Sequence, residues 1–191
     1  MKKAPILVLI SLIFLSYSCQ KKVSNEEAYK DPSLSLEERI DALLSLMSLE
    51  EKVAQMRIFH TNIGAKPDQD GNLDLSEKVV EKLKLGIAGI KNPGTALDAV
   101  SSAEFNNKLQ KYIIENNRWG IPALFVTESY NGVDANGATK FGRPINSAAS
   151  FNDSLVNCIW NVVGREARLR GMHMCHSPEA DIVRDPRFGR M

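Results

Sequence analysis

The sequence predicts an α/β protein built around a parallel β-sheet, and three observations lead to that prediction. Short apolar runs of strand length recur along the chain, and longer stretches with the apolar spacing of an amphipathic helix separate them. Residues that favour helix ends, such as Ser, Asn and Gly, stand at several of the boundaries. Strands that alternate with helices of this length predict a parallel sheet with right-handed crossover connections.

Composition and charge are those of an ordinary globular protein. Of the 191 residues, 43% are hydrophobic and 25% are charged, which is enough to form one sizeable core. The 24 Lys and Arg residues balance the 23 Asp and Glu residues, and no basic stripe with interleaved aromatic residues is present. A nucleic-acid-binding function is therefore disfavoured.

Residues 1–18 predict an export signal of the lipoprotein type. Lys2 and Lys3 form a basic start, and an apolar run of about ten residues follows, too short to span a bilayer as a helix. Small residues then precede Cys19, an arrangement similar to a bacterial lipoprotein cleavage site. We expect lipidation of Cys19, which would hold an exported protein at a bacterial membrane through its lipid anchor only. The alternative is an ordinary secretory signal with an incidental cysteine.

The rest of the chain divides into a tether and a folded region. Residues 19–33 are polar and have no periodic pattern, which suits a flexible connection. Residues 34–191 contain all the predicted helices and strands, so we expect the folded domain there.

Two short amphipathic helices are predicted at the start of the folded region. Ser35 with Glu38, and Ser48 with Glu51, place a hydroxyl and a carboxylate three residues apart. In such a capping box each side chain bonds a free backbone N–H at a helix start. Apolar residues with helical spacing follow both pairs, so each pair predicts a helix.

Four strands and three further helices follow. The strands are predicted at 56–60, 86–92, 123–127 and 172–177, and the helices at about 76–85, 95–117 and 152–170. Four such units suit either a complete small doubly wound domain or half of an eightfold barrel. Periodicity does not distinguish the two, although the chain is shorter than the ~250 residues of a full barrel.

Functional side chains in either architecture lie just past the carboxyl ends of the strands. This rule selects His60, Asn92, Glu128 and the segment 179–185. Glu128 is the first candidate because it follows an apolar strand and begins a polar loop rich in Gly and Asn. A carboxylate there can accept strong hydrogen bonds from the hydroxyl groups of a ligand. The alternative is that Glu128 anchors the loop or pairs with an arginine.

We expect no metal and no cofactor. The segment 172–176 contains two His residues and one Cys, which are good metal ligands. Strand alternation, however, places His173 and Cys175 on one face and His176 on the other, and no zinc spacing is present. These are therefore interpreted as ordinary strand residues. The segment 86–89 lacks the spacing of a phosphate-binding loop.

Two segments resemble a known family. GIPALFVTESYNG at 120–132 and RDPRFGR at 184–190 are similar to the N-terminal barrel domain of glycoside hydrolase family 3. That family of retaining exo-β-glycosidases usually shows GIP-L-x-aromatic, then an acidic residue and HG, and later RDPRWGR. The resemblance covers roughly residues 30–191 and implies the N-terminal part of a TIM-like (β/α)8 barrel, incomplete in this chain.

The resemblance also implies roles for individual residues. Glu128 stands where the family has a sugar-binding acid, often Asp but Glu in xylosidase-like branches. Arg190, the last residue of the second motif, matches the family's sugar-binding arginine, whereas Arg184, Asp185 and Arg187 match positions that look structural. Substrate binding through Glu128 and Arg190 is therefore expected. Asn131 stands where the family usually has His. Its amide can hydrogen-bond a hydroxyl group, so a structural role in the loop and contact with the substrate both remain open.

The activity that the resemblance implies is hydrolysis of terminal β-linked sugars, as by a β-glucosidase or β-xylosidase, with an oligosaccharide or β-glycoside as substrate. A retaining glycosidase needs two carboxyl groups, and from the residues alone Glu128 could pair with Glu179, Asp181 or Asp185. In the family, however, both catalytic groups lie beyond the position of Met191. We therefore expect a fragment with no catalytic residue of its own, and the alternative is a non-catalytic sugar-binding surface lipoprotein.

Overall fold

The computed structural model describes residues 28–60, 65–70 and 72–178, together with Ile182, Arg184, Asp185 and Arg187. The expected export signal and Cys19 lie outside the described residues. So do most of the expected tether and the candidate residues Glu179, Asp181 and Arg190. The chain forms two compact units, Met1–Ser48 and Leu49–Met191.

The first unit contains the helix α1 (Leu36–Leu46). Both hydrogen bonds of the capping box predicted at Ser35 and Glu38 are present. The backbone N–H of Glu38 donates to Ser35 Oγ at 3.3 Å, and the backbone N–H of Ser35 donates to Glu38 Oε2 at 2.9 Å. Arg39 Nε also donates to the carbonyl oxygen of Tyr29 at 3.0 Å, so the chain just before the helix is held against it. The exact boundary between tether and domain stays a prediction.

The second unit contains the other elements. In chain order they are α2 (Leu49–Ala54), β1 (Ile58–His60), β2 (Ala65–Pro67), β3 (Leu73–Leu75), α3 (Glu77–Lys84), β4 (Gly89–Lys91), α4 (Ala99–Asn116), β5 (Leu124–Glu128), α5 (Pro144–Ala148), α6 (Asp153–Leu169) and β6 (Met174–His176). All four predicted strands and all predicted helices are present. The β2–β3 hairpin and the short helix α5 are additions that the sequence analysis missed.

Local signals explain where several elements begin. Helix α4 starts four residues later than predicted because the Asp98 side chain caps it, accepting from the backbone N–H groups of Val100 and Ser101. Helix α6 begins as predicted after Asn152, whose Oδ1 accepts from the Leu155 N–H at 2.9 Å. The turn of the hairpin that was not predicted is stabilised by Asp68, whose Oδ1 accepts from the backbone N–H groups of Asp70 and Asn72.

The main sheet has four parallel strands in the order β1-β4-β5-β6. The strands lie side by side in the order in which they follow in the chain. A barrel is built in this way, whereas a doubly wound sheet reverses direction at a switch point. The fold is therefore part of a TIM-like (β/α)8 barrel, and the doubly wound alternative does not fit the described strands.

The two faces of this sheet differ in their surroundings. One face, the helix-covered face, carries Phe59, Ile90, Phe125 and Cys175, which pack with apolar residues of α3, α4 and α6. That core cluster consists of Val79, Leu83, Ile87, Ile90, Phe105, Leu109, Ile113, Ala123, Phe125, Val133, Val163, Ala167 and Met172. Because side chains alternate along a strand, the opposite face, the open face, carries the intervening residues. These are Ile58, His60, Gly89, Lys91, Leu124, Val126, Glu128, Met174 and His176.

Candidate functional site

Three charged or polar side chains meet at the carboxyl edge of the open face. Lys91 ends β4, Glu128 ends β5 and His176 ends β6. The ammonium group of Lys91 forms an ion pair with Glu128 Oε1, and His176 Nδ1 lies 3.9 Å from the same oxygen. Glu128 therefore receives a partner from the strand on each side of it, which the sequence analysis did not predict.

Strand register explains this meeting. Glu128 lies directly opposite His176 in the β5–β6 pairing, and Lys91 lies opposite Val126 in the β4–β5 pairing. Val126 is two residues before Glu128, so its side chain and those of Lys91 and Glu128 share one face. A lysine has a four-carbon stem, which is long enough to reach diagonally across to the next residue on that face.

The cluster is partly shielded from solvent. The side chains of Lys91 and Glu128 retain 22% and 30% of their accessible surface, against 70% and 52% for the surface pair Lys66–Asp74. Partly buried charges are screened less by salt than fully exposed ones, so the Lys91–Glu128 contact is more than a surface ion pair.

Asn92 holds the backbone of Glu128. Its Oδ1 accepts from the Glu128 backbone N–H at 3.1 Å, while its own N–H donates to the Val126 carbonyl oxygen at 2.7 Å. The residue has φ 55°, in the left-handed region that Asn tolerates better than most residues. Asn92, which its position after a strand predicted to be a site residue, thus lies against the main chain of Glu128.

The loop after β5 is fixed by its own main chain. The N–H of Asp134 donates to the Glu128 carbonyl oxygen at 2.8 Å, and the N–H of Phe141 donates to the Asn131 carbonyl oxygen at 2.8 Å. Gly132 has φ 100°, and a Cβ there would collide with the carbonyl oxygen of Thr139. The main chain of Asn131, the residue that replaces the family's usual His, is thus part of this loop, and the role of its side chain stays a prediction.

Arg170 connects the loops at the carboxyl edge of the sheet, a role that was not predicted from the sequence. It is 3% exposed, and its guanidinium donates to the carbonyl oxygens of Asn136 at 2.8 Å and Leu97 at 3.4 Å. These two carbonyls belong to the loops that follow β5 and β4. The position of Arg170 at the end of α6, just before Gly171, gives no sequence signal for such a role beyond a helix end.

The other histidines lie at different places. His60 is the Cα partner of Lys91 in the β1–β4 pairing and is exposed on the open face. His173 lies at the opposite, amino-terminal edge, where its Nδ1 accepts from the Phe125 N–H at 2.9 Å. Burial, and then the charge of Arg168, hold the pKa of His173 below its ordinary value. Within the described ranges no group of His, Cys, Asp and Glu side chains is arranged to hold a metal ion.

The candidates near the chain end are only partly described. Asp185 pairs with Arg187, whose Nε donates to Asp185 Oδ1 at 2.9 Å and whose backbone N–H donates to the same oxygen at 2.9 Å. These hydrogen bonds hold the pKa of the Asp185 carboxyl below its usual range. Both side chains of this pair are exposed, and a structural role for the two positions stays a prediction. Substrate contact by Arg190 stays a prediction.

Fold and site together define a (β/α) barrel protein with a polar cluster at the carboxyl ends of its strands, where barrel enzymes bind their substrates. The family model described as "Glycosyl hydrolase family 3 N terminal domain" matches residues 48–191. The chain belongs to glycosyl hydrolase family 3, so the family resemblance seen in the sequence is confirmed.

Curated relatives are glycosidases of much greater length. The chain is 71% identical over 191 residues to a provisionally named β-xylosidase of Formosa agariphila, covering 100% of the chain and 25% of that protein. It is 29% identical over 172 residues to β-glucosidase C of Emericella nidulans, covering 85% of the chain and 27% of that protein. The chain thus spans about a quarter of the length of these relatives.

Solved structures agree on the fold. A β-glucosidase from Erythrobacter marinus superposes with a TM-score of 0.69 at 31% identity, over 85% of this chain and 21% of its own. An exo-1,3/1,4-β-glucanase from Pseudoalteromonas gives a TM-score of 0.64 at 24% identity, over 84% of this chain and 25% of its own. The second likeness shows the fold alone. Among the helices of the described residues, none is both long enough and apolar enough to cross a membrane.

Proposed function

We propose that this chain supplies part of the sugar-binding site of an exo-acting retaining β-glycosidase that releases terminal β-linked sugars. The observation that carries the proposal is the position of Glu128 at the carboxyl end of β5, on the open face of a family 3 barrel sheet. The similarity to β-xylosidases and β-glucosidases supports β-xylosides and β-glucosides as the substrate class.

The chemistry of Glu128 suits this role. An ionised carboxylate accepts hydrogen bonds from two hydroxyl groups, and bonds to a charged acceptor are about twice as strong as neutral ones. Arg190 offers a planar fork of donors for neighbouring hydroxyls and is proposed as a second sugar contact. The nucleophile and the acid/base are proposed to come from other parts of the enzyme, so Glu128 binds the sugar rather than attacking it.

An assay of the full-length gene product on nitrophenyl β-xylosides and β-glucosides tests this function. Glu128→Gln keeps the shape of the side chain but removes its charge, and Arg190→Ala removes the guanidinium. We expect each to lower kcat/KM by about a hundredfold, the loss of a well-placed charged hydrogen bond. Glu81→Ala, at an exposed position in α3, is the matched control.

The outcomes separate the alternatives. Undiminished turnover in both variants would reject the two assignments. If the unaltered protein binds xylose or glucose in calorimetry but hydrolyses no β-glycoside, the function is that of a non-catalytic sugar-binding protein instead.

We also propose that the protein is exported and anchored through a lipid on Cys19. The basic start, the apolar run and the small residues before Cys19 support this localisation. In a bacterial host, Cys19→Ser is expected to abolish incorporation of a labelled fatty acid and to move the protein from the membrane fraction to the soluble fraction. Unchanged labelling of the variant would contradict the proposal.

A further inference from the structure

Two consecutive residues at the carboxyl end of β4 contact Glu128, one through its side chain and the other through its main chain. Lys91 forms an ion pair with the side-chain oxygen Oε1, and Asn92 Oδ1 accepts from the backbone N–H at 3.1 Å. The side chain and the main chain of one candidate sugar-binding residue are therefore both fixed by the neighbouring strand.

The direction of the Lys91 side chain is set by the sheet itself. Lys91 lies opposite Val126, and Gly89, two residues earlier on the same face, leaves no side chain beside it. Gly89 is also packed tightly, since an added Cβ would collide with the carbonyl oxygen of Leu124. The backbones of β4 and β5 are thus in close contact, and this close contact fixes the distance that the lysine stem must span.

We propose that Lys91 is a positioning residue, which orients the Glu128 carboxylate so that it can accept hydrogen bonds from the hydroxyl groups of a sugar substrate. This inference rests on the proposed role of Glu128 in sugar binding. Lys91 acts through Glu128, with no contact of its own to the substrate. Binding groups that are held in place before the substrate arrives bind it better, because less ordering remains to be done on binding.

Removal of the lysine charge should then loosen the carboxylate. Lys91→Met keeps an unbranched stem of similar length but has no ammonium group. We expect kcat/KM on nitrophenyl β-glycosides to fall by about ten- to a hundredfold, since small misplacements of a binding group cost about that much. Lys91→Arg keeps a cation within reach of Oε1 and should recover part of the loss. Lys84→Met, at an exposed position of α3, is the control for loss of a lysine charge.

A double-mutant cycle in the full-length gene product gives the decisive test. If Lys91 acts through Glu128, Lys91→Met has little further effect once Glu128→Gln is present. The same factor of loss in both backgrounds would overturn the inference, because Lys91 would then act independently of Glu128. An unchanged kcat/KM in Lys91→Met alone would also overturn it. Urea unfolding of each variant reports any purely structural loss.

The two proposals fail in different ways. If Glu128→Gln leaves activity intact, the role of Glu128 is rejected and the inference about Lys91 falls with it. If Glu128→Gln is damaging but Lys91→Met is harmless or additive, the proposed function stands and only the inference is wrong. Should the protein bind sugars without hydrolysing them, the same cycle is read from dissociation constants, and absence of both turnover and binding rejects both proposals.

Discussion

The helix-covered face and the open face of the same sheet are built for different purposes. Phe125 and Ile90 on the helix-covered face are 1% and 2% exposed and belong to a continuous apolar core. Leu124, next to Phe125 in the same strand, is 52% exposed on the open face, and the carboxyl edge of that face holds an ion pair. Because side chains alternate along a strand, one short segment contributes to the apolar core on one side and carries the proposed sugar-binding residue Glu128 on the other.

The comparison is tested most strongly by two neighbouring substitutions in β5. In the 191-residue chain, Phe125→Ala should lower the free energy of unfolding by about 4 kcal/mol, because it removes a buried aromatic side chain and leaves a cavity. Leu124→Ala, on the open face, should lower it by less than about 1 kcal/mol, since half of that side chain is already in water. Urea unfolding followed by tryptophan fluorescence measures both, and equal losses would contradict the distinction between the faces.

The second prediction concerns the buried charge of Arg170, which holds the loops after β4 and β5. Arg170→Met keeps much of the side-chain volume but leaves the Asn136 and Leu97 carbonyl oxygens without their donor. We expect a loss of about 2–3 kcal/mol in the free energy of unfolding, the cost of removing the charged hydrogen bonds that the buried guanidinium makes to these two partly buried carbonyl oxygens. Arg165→Met, an exposed position on the same helix, should change it by less than about 0.5 kcal/mol.

The open face should also promote self-association. Ile58, Leu124 and Met174 expose 44%, 52% and 39% of their surface there. Ile58 and Leu124 lie on either side of Gly89, which has no side chain, and Met174 is on the next strand after Leu124. Exposed apolar groups on neighbouring strands favour association with other chains. In size-exclusion chromatography the 191-residue chain should elute ahead of a monomer, and Leu124→Gln should raise the monomer fraction more than Val100→Gln, which changes an exposed apolar residue of α4. A soluble monomer with a sharp cooperative melt would contradict this prediction.

The smallest effect is expected from pH, through His173 on the helix-covered side. Burial lowers the pKa of His173 in the folded state, so near pH 6 the unfolded chain binds more protons at this residue. Its contribution to stability is therefore complete above the unfolded pKa of about 6.5 and decreases as the pH falls below that value. His173→Gln, which can still accept from the Phe125 N–H, should lose less stability than the unaltered chain between pH 7.5 and pH 5.5. Identical losses would contradict the assignment.

Much of the fold could be read from local patterns. The four strands and the helices between them follow from apolar periodicity, and the helix starts at Ser35 and Asn152 follow from side chains that bond to nearby backbone N–H groups. The cap at Asp98 is of the same local kind but was missed. The hairpin was missed because its two strands, Ala65–Pro67 and Leu73–Leu75, lie in a polar stretch of the sequence that contains no apolar run. The cluster of Asp, Gly and Asn at 68–72 was the available signal.

The candidate site was only half predictable. Glu128 and Asn92 were found because each directly follows or ends an apolar run, which is where barrel proteins place functional groups. Lys91 was overlooked because it lies inside such a run, and His176 was interpreted as an ordinary strand residue. A single lysine within an apolar strand was a usable signal, since its side chain needs a partner or solvent on one face.

The sequence by itself determined which segments become strands and helices, because apolar spacing and helix caps act between residues a few positions apart. It also carried the family motifs around Glu128. Only the tertiary structure decided that Lys91, Glu128 and His176 share one edge, because strand order and register arise from pairing between segments about 37 and 48 positions apart in the chain. Long-range pairing of this kind leaves no local pattern in the residues that it brings together.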